Sequence, residues 1–146
     1  MAMYEIREAI DMYAPRQGVK DIGQTLGFSR NDCHELAIVV SELASNILKY
    51  GVRGTISIED ANDVKRGLGL LLVARDLGPP FFDLQLALRD GYNDRGPIDP
   101  ATLLKRGGLG TGLGAVVRLS DSFELEPLPV GKTIRVVRYR SRPKNR

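Results

Sequence analysis

The sequence predicts an α+β two-layer sandwich in which helices cover one face of a mixed, mainly antiparallel sheet. One long segment, 29–51, carries apolar residues at helical spacing. Strand-like segments lie on both sides of it, and the chain ends on two of them, 122–126 and 132–139, with a turn at 129–131 between them. The 146 residues contain no linker or repeat that would divide them, so they fit a single domain, 1–146.

The first part of the chain contains a predicted edge strand and two predicted helices. A weak alternation within Tyr4–Met12 indicates the strand, and apolar residues at helical spacing predict a short helix over Gln17–Leu26. The second helix is the clearest element, because Ser29 or Asn31 can cap its start and Gly51 can end it. Its apolar residues form one stripe that we expect to be buried, and they are Leu36, Val40, Leu43, Ile47 and Tyr50.

The middle of the chain continues with strands and a long loop. Thr55–Glu59 alternates like a half-buried strand, and Leu68–Arg75 is nearly all apolar, as in a central strand that is covered on both faces. Phe82–Leu88 is predicted as a short helix. The glycine- and proline-rich segment Gly91–Gly108 is predicted as a loop, and a loop of that length in a compact domain usually serves a function. Gly112–Ser120 has the apolar spacing of a helix and precedes the final strands.

Composition and charge exclude several classes of protein. No apolar run approaches the roughly 20 residues of a membrane span, and the start of the chain lacks the apolar region of a signal peptide, so we expect a cytoplasmic protein. The single cysteine, Cys33, cannot form an intramolecular disulfide and is interpreted as a small core residue. The net charge of +3 owes much to the basic residues between Arg135 and Arg146. A solvated tail, about 140–146, is favoured over a nucleic-acid site because no aromatic residue follows Tyr139.

A polar stripe follows one side of the long helix. Glu42 and Asn46 are four residues apart and project from one face, which Lys49 continues. A carboxylate, an amide oxygen and an ammonium in a row suit Mg²⁺ and phosphate, because magnesium takes hard oxygen ligands and keeps several waters. A polar flank that merely faces water is the alternative, and the helix taken alone favours it.

A carboxylate ends the apolar strand. Asp76 is placed to accept a hydrogen bond from a ligand in a crevice, and Gly78 would let a flat ring approach the backbone. An ordinary Asp-x-Gly turn would have the same sequence, so both interpretations stay open.

The strongest single feature is the glycine-rich turn Gly107–Gly114 before a predicted helix. Glycines at alternate positions expose backbone N–H groups, and the start of the helix can point at phosphate. The turn is not a P-loop, because Gly112 is followed by Leu113 and Gly114 instead of a lysine and a hydroxyl residue. A flexible hinge is the alternative, which the stability cost of so many glycines at a helix start disfavours.

Together these motifs resemble the GHKL superfamily, which groups gyrase-type ATPases, Hsp90, histidine kinases and MutL. Glu42–Asn46 resembles its N box, Asp76–Pro79 its first glycine box, and Gly107–Gly114 its second. Gly131–Thr133 resembles the Gly-x-Thr segment that precedes the last strand. The order and spacing match over almost the entire chain.

Within that superfamily the small chain resembles the bacterial partner-switching branch, with its RsbT-type stressosome kinases and its RsbW- and SpoIIAB-type anti-sigma factors. Phe28–Asp32, Ser41–Asn46 and Ala87–Tyr92 resemble the RsbT type in particular. One position departs from the superfamily pattern, since Pro80 stands where the first glycine box has its last glycine.

The resemblance implies a Bergerat-type ATP-binding fold and a serine/threonine kinase of stress-response signalling that uses ATP and Mg²⁺. Its substrates would be STAS-domain antagonist or scaffold proteins, with a phosphatase or a sigma-factor regulator as a further partner. The alternative is an ATP-binding anti-sigma factor or sequestering switch module with little or no catalysis. Membranes and nucleic acids are not among the implied partners.

The resemblance also implies roles for individual residues. Glu42 would be the general base and Asn46 the magnesium ligand, with Lys49 as a phosphate contact. Asp76 would receive the amino group of adenine, and Gly91–Gly108 would be the lid over the nucleotide. The remaining implied ATP-binding residues are Gly78, Gly108, Leu109, Gly110, Thr111, Gly112, Leu113 and Thr133.

Overall fold

The computed structural model describes these parts of the chain: residues 1–50, 52–78, 92–93, 96–97 and 112–140. Within them the helices are a 3-10 helix Ala9–Met12, α1 Tyr13–Thr25, α2 Arg30–Tyr50 and α3 Leu113–Arg118. The strands are β1 Ala2–Ile6, β2 Gly54–Asp60, β3 Gly69–Asp76, β4 Tyr92–Asn93, β5 Gly96–Pro97, β6 Ser122–Pro127 and β7 Lys132–Tyr139.

Five of these strands form one sheet in the order β1-β2-β3-β7-β6. Every neighbouring pair in it is antiparallel, and β4 and β5 pair separately with each other. The α+β prediction is therefore confirmed. The expectation of a mixed sheet is refined, since the described strands contain no parallel pair.

Helix α2 is the centre of the helical layer and packs against β2, β3, α1 and α3. Its predicted apolar stripe is confirmed as far as Ile47, because Leu36, Val40 and Leu43 are fully buried with it. Burying one such side chain contributes roughly 1.5–3 kcal/mol. From the sheet, the stripe meets inward-facing residues of three strands, which are Ile56, Ile58, Leu70, Leu72, Ile134 and Val136.

The start of α2 is fixed by a side-chain cap. Ser29 Oγ accepts a hydrogen bond from the N–H of Asp32 at 3.0 Å, so Ser29 and not Asn31 caps the helix. Cys33 in its first turn is buried, which agrees with its interpretation as a core residue. Burial first, and then the nearby charge of Asp32, raise the pKa of the Cys33 thiol above its ordinary value.

The first elements begin and end earlier than the sequence pattern indicates. The edge strand ends at Ile6 because Asp11 Oδ2 accepts the N–H groups of Arg7 at 2.9 Å and Glu8 at 3.0 Å, which turns the chain into the 3-10 helix. Helix α1 starts at Tyr13, and Pro15 lies in its first turn, where a missing N–H removes no helical hydrogen bond.

Two predicted segments are largely beyond the described residues. The expected helix Phe82–Leu88 lies outside them, and so does most of Gly91–Gly108, apart from the short pair β4 and β5. In the described part of the chain no helix is both long enough and apolar enough to cross a membrane.

Candidate nucleotide-binding site

Helix α2 carries the first group of predicted site residues. A helix rises about 1.5 Å per residue, so Asn46 lies one turn beyond Glu42 on the same side. Glu42 is half-buried and Asn46 is 8% exposed. Lys49 is exposed and lies in the last turn of α2, where the helix dipole also favours a positive charge.

The amide of Asn46 distinguishes this helix face from an ordinary polar flank. Its Oδ1 is buried and accepts no hydrogen bond from the part of the chain that the structure describes. Leaving a buried acceptor unpaired costs about 1–3 kcal/mol, so natural proteins seldom retain one without a reason. A hard cation would satisfy this oxygen, and Mg²⁺ commonly takes one or two protein oxygens and completes its shell with phosphate and water. The buried oxygen of Asn46 therefore fits the predicted magnesium ligand.

Among the described residues, no three His, Cys, Asp or Glu side chains cluster as a metal site. A magnesium ion at Asn46 would thus depend on phosphate oxygens and water for most of its coordination, as Mg²⁺ does at nucleotide sites.

Asp76, at the end of β3, is the next predicted site residue. Its Oδ1 accepts the N–H of Gly78 at 3.0 Å, which is the Asp-x-Gly turn that the sequence offered as an alternative. Its Oδ2 lies 2.8 Å from Nζ of Lys132, and the Asp76 and Lys132 side chains are 3% and 0% exposed. A carboxylate has about four lone-pair positions, so these two contacts leave room for a donor from a ligand.

Lys132 was missed by the sequence analysis. The register of β3 and β7 pairs it directly with Asp76, so both side chains lie on one face of the sheet. Thr133 pairs with Arg75 instead and lies on the opposite face of the strand, buried. The structure therefore does not bring the Thr133 side chain together with that of Asp76, and the predicted adenine-side role of Thr133 stays a prediction.

The turn before β7 explains how Lys132 comes so close to Asp76. Gly131 has a φ of +86°, and a Cβ at this position would collide with the carbonyl oxygen of Asp76. Only glycine combines the left-handed conformation with that approach of two backbones. The motif Gly131–Thr133 could have revealed Lys132 only if the strand register had been known.

The end of the glycine-rich turn is described from Gly112 onward. Gly112 has a φ of +74° and precedes α3, whose first residue, Leu113, is buried. Because α3 packs against α2, this end of the turn is held beside the helix that carries Asn46. The other predicted phosphate-binding residues, Gly108, Leu109, Gly110 and Thr111, lie outside the described residues, and their roles stay predictions.

Comparisons with known proteins identify the family of this chain. Residues 7–138 match the family described as histidine kinase-like ATPase domain. The chain is 37% identical over 116 residues to the serine/threonine-protein kinase RsbT of Bacillus subtilis (strain 168), and the alignment covers 79% of this chain and 77% of RsbT.

A solved structure supports the fold independently. The crystal structure of the SiaB-SiaC complex from Pseudomonas aeruginosa contains a chain that matches with a TM-score of 0.60 and 17% identity, covering 94% of this chain and 89% of that one. At this identity the likeness concerns the fold alone. With the match to RsbT, the predicted resemblance is confirmed, and the chain belongs to the histidine kinase-like ATPase domain family.

Proposed function

We propose that this protein is a serine/threonine protein kinase that uses Mg²⁺ and ATP and phosphorylates a STAS-domain antagonist or scaffold protein in a bacterial partner-switching system. The family match and the likeness to the kinase RsbT support the reaction class. The observation that carries the proposal is the Oδ1 of Asn46, which is buried and unpaired among the described residues and lies one helical turn from Glu42.

Phosphoryl transfer needs positioning and charge neutralisation more than covalent catalysis. A magnesium ion held by Asn46 would neutralise the charge on the phosphate oxygens. Glu42 accepts the proton of the substrate hydroxyl while that oxygen forms a bond to the γ-phosphorus. The bond from the γ-phosphorus to the oxygen bridging the β- and γ-phosphates breaks, and ADP leaves with the electron pair.

The other end of the site recognises the base. Asp76 accepts a hydrogen bond from the 6-amino group of adenine, and Gly78 lets the ring lie against the backbone. The residues proposed to contact the phosphates or to complete the pocket are Lys49, Gly108, Leu109, Gly110, Thr111, Gly112, Leu113 and Thr133. Gly91–Gly108 is proposed as the lid. The stressosome is the proposed setting, in the cytoplasm, with a phosphatase or sigma-factor regulator as a further partner.

The experiment that tests this proposal replaces the base without changing its shape. Glu42→Gln should bind ATP and the STAS-domain partner like the wild type, yet transfer phosphate at least ~10²-fold more slowly, the usual scale of general-base loss. Transfer is followed with radiolabelled ATP and a purified STAS-domain protein, and binding is measured on the same samples. Glu124→Gln is the matched control, because Glu124 is exposed on β6 and should keep the wild-type rate.

The outcomes separate catalysis from binding. If Glu42→Gln phosphorylates at the wild-type rate, Glu42 is not the base. If the wild type binds both ATP and partner but transfers nothing, the kinase proposal fails and the second candidate stands: an anti-sigma factor or sequestering switch module. The resemblance to the partner-switching branch supports both candidates, because a sequestering relative would retain the same nucleotide site.

A further inference from the structure

The ion pair between Asp76 and Lys132 is the most deeply buried one in the described part of the site. The ammonium of Lys132 is completely inaccessible and lies 2.8 Å from Oδ2 of Asp76. Lysine is almost never fully buried, because removing its charge from water is costly unless a partner compensates for it. Replacing such a pair with apolar residues often leaves a fold as stable as before, so fold stability alone is a weak explanation for its presence.

The pair fixes the orientation of the carboxylate. The N–H of Gly78 donates a hydrogen bond to Oδ1 at 3.0 Å and the ammonium of Lys132 lies 2.8 Å from Oδ2, so rotation of the carboxylate plane would break one of these two contacts. Lys132 in turn follows Gly131, whose backbone runs against the carbonyl of Asp76 and sets where β7 begins. Both partners therefore approach from directly paired positions on adjacent strands.

We propose that Lys132 is a positioning residue for base recognition. It supplies the counter-charge that allows a buried Asp76 carboxylate to remain an acceptor, and it directs the remaining lone pairs of that carboxylate toward the 6-amino group of adenine. Lys132 acts through Asp76 and is not a catalytic residue. This inference rests on the proposed ATP-binding function and assigns to Lys132 the selectivity of that site for an amino-bearing purine.

A selectivity role and a structural role give different results with two nucleotides. Purine riboside triphosphate has the ring and phosphates of ATP but lacks the 6-amino group. The wild type should bind ATP more tightly than purine riboside triphosphate by about tenfold or more, which is the scale of one hydrogen bond to a charged group. Lys132→Met should lose most of that preference through weaker ATP binding, while its affinity for purine riboside triphosphate stays near the wild-type value.

Four further variants make the assignment specific. Lys132→Arg keeps the charge and should recover part of the preference. Asp76→Asn should lose the preference by itself, and adding Lys132→Met to it should cause little further change, because the two residues act through one contact. Arg135→Met, on the outer face of the same strand, is the matched control and should keep the wild-type preference.

Binding of both nucleotides is measured by calorimetry, and folding of each variant is checked by circular dichroism. If Lys132→Met is folded and keeps the wild-type preference, or loses affinity for both nucleotides equally, the proposal is overturned. If Lys132→Met does not fold, Lys132→Gln takes its place, since it keeps an N–H donor without the charge. An equal loss for both nucleotides in that variant overturns the proposal as well. A wild type that binds neither nucleotide instead refutes the proposed function itself, and the inference with it.

Discussion

The guanidinium of Arg138 on β7 lies 2.7 Å from Oδ1 of Asp32 in the first turn of α2, although the two residues are 106 positions apart. Their side chains are 1% and 3% exposed. The same guanidinium contacts Glu35 at 2.6 Å and donates a hydrogen bond to the carbonyl oxygen of Leu119, just after α3, at 3.1 Å. One arginine thus ties together α2, α3 and β7, the elements that frame the candidate site.

Replacing this arginine should destabilise the fold strongly. Arg138→Met removes the guanidinium that lies against the buried carboxylate of Asp32, and breaking a buried ion pair in this way costs about 3–5 kcal/mol. Arg135→Met is the control on the same strand, because its pair with Glu126 is 36% and 54% exposed and should contribute only about 0–1 kcal/mol. Urea unfolding of both variants measures the difference. A similar small loss in both would show that the buried cluster contributes little.

Arg138 also shows where prediction from sequence reaches its limit. In the sequence, Arg138 is one of the basic residues that produce much of the net charge, and only the tail after it, about 140–146, is predicted to be solvated. The alternation of β7 already placed Arg138 on the same face as Ile134 and Val136, which are core residues. The acidic partner could not be predicted, because it depends on how α2 packs across the sheet.

The residues of the candidate site also differ in whether the sequence alone could predict them. Glu42 and Asn46 could be predicted because a helix places residues four apart on one face whatever the tertiary fold. Asp76 could be predicted from its position at the end of an apolar strand. The partner of Asp76 could not, because Lys132 and Thr133 exchange faces if the register of β7 shifts by one residue. That register depends on the turn at Gly131, so it is a property of the folded sheet.

The turn glycine offers a direct test of this dependence. Gly131→Ala should lower the free energy of unfolding by more than the ~1–2 kcal/mol that the left-handed conformation alone costs, because its Cβ would meet the backbone of Asp76. Gly27→Ala is the matched control, because Gly27 has a φ of +88° and, among the described residues, only the side chain of Arg140 lies near the added Cβ, at 3.1 Å. Chemical unfolding compares the two variants. Equal losses would show that the close approach at Gly131 is relieved without strain.

A surface turn provides a prediction about pH. Asp63 Oδ1 accepts the backbone N–H groups of Lys65 at 2.7 Å and Arg66 at 2.9 Å. Both hydrogen bonds hold the pKa of Asp63 below its ordinary value, and the one from Arg66 lowers that pKa the most. The charged form thus favours the folded state. Its contribution to stability is present above the pKa of the unfolded chain, about 3.9, and is lost as pH falls through the lower folded pKa.

Asp63→Asn isolates that contribution, because the amide oxygen can accept the same two hydrogen bonds without a charge. The wild type should be more stable than the variant at pH 7, and the difference should shrink as the pH is lowered below the ordinary aspartate range. Urea unfolding of both proteins over a pH series measures it. A difference that is independent of pH would show that the charge of Asp63 plays no part.

The Oδ1 atom of Asn46 gives the sharpest separation of stability from function. Asn46→Ala removes a buried acceptor that has no partner among the described residues and introduces a better helix former, so the nucleotide-free protein should lose no stability. The part of ATP binding that depends on Mg²⁺ should nevertheless disappear, because the proposed metal ligand is gone. Asn31→Ala, at an exposed position near the start of the same helix, should change neither property.

Thermal unfolding of the wild type, Asn46→Ala and Asn31→Ala tests both halves of this prediction. Each protein is measured without nucleotide, with ATP and Mg²⁺, and with ATP and a chelator. A ligand that binds only the folded state raises the melting temperature, so the difference between the magnesium and chelator samples reports the metal-dependent binding. For Asn46→Ala that difference should vanish while the melting temperature of the free protein holds. A marked drop without nucleotide would mean that the amide stabilises the helix, and an intact magnesium response would remove Asn46 from the metal site.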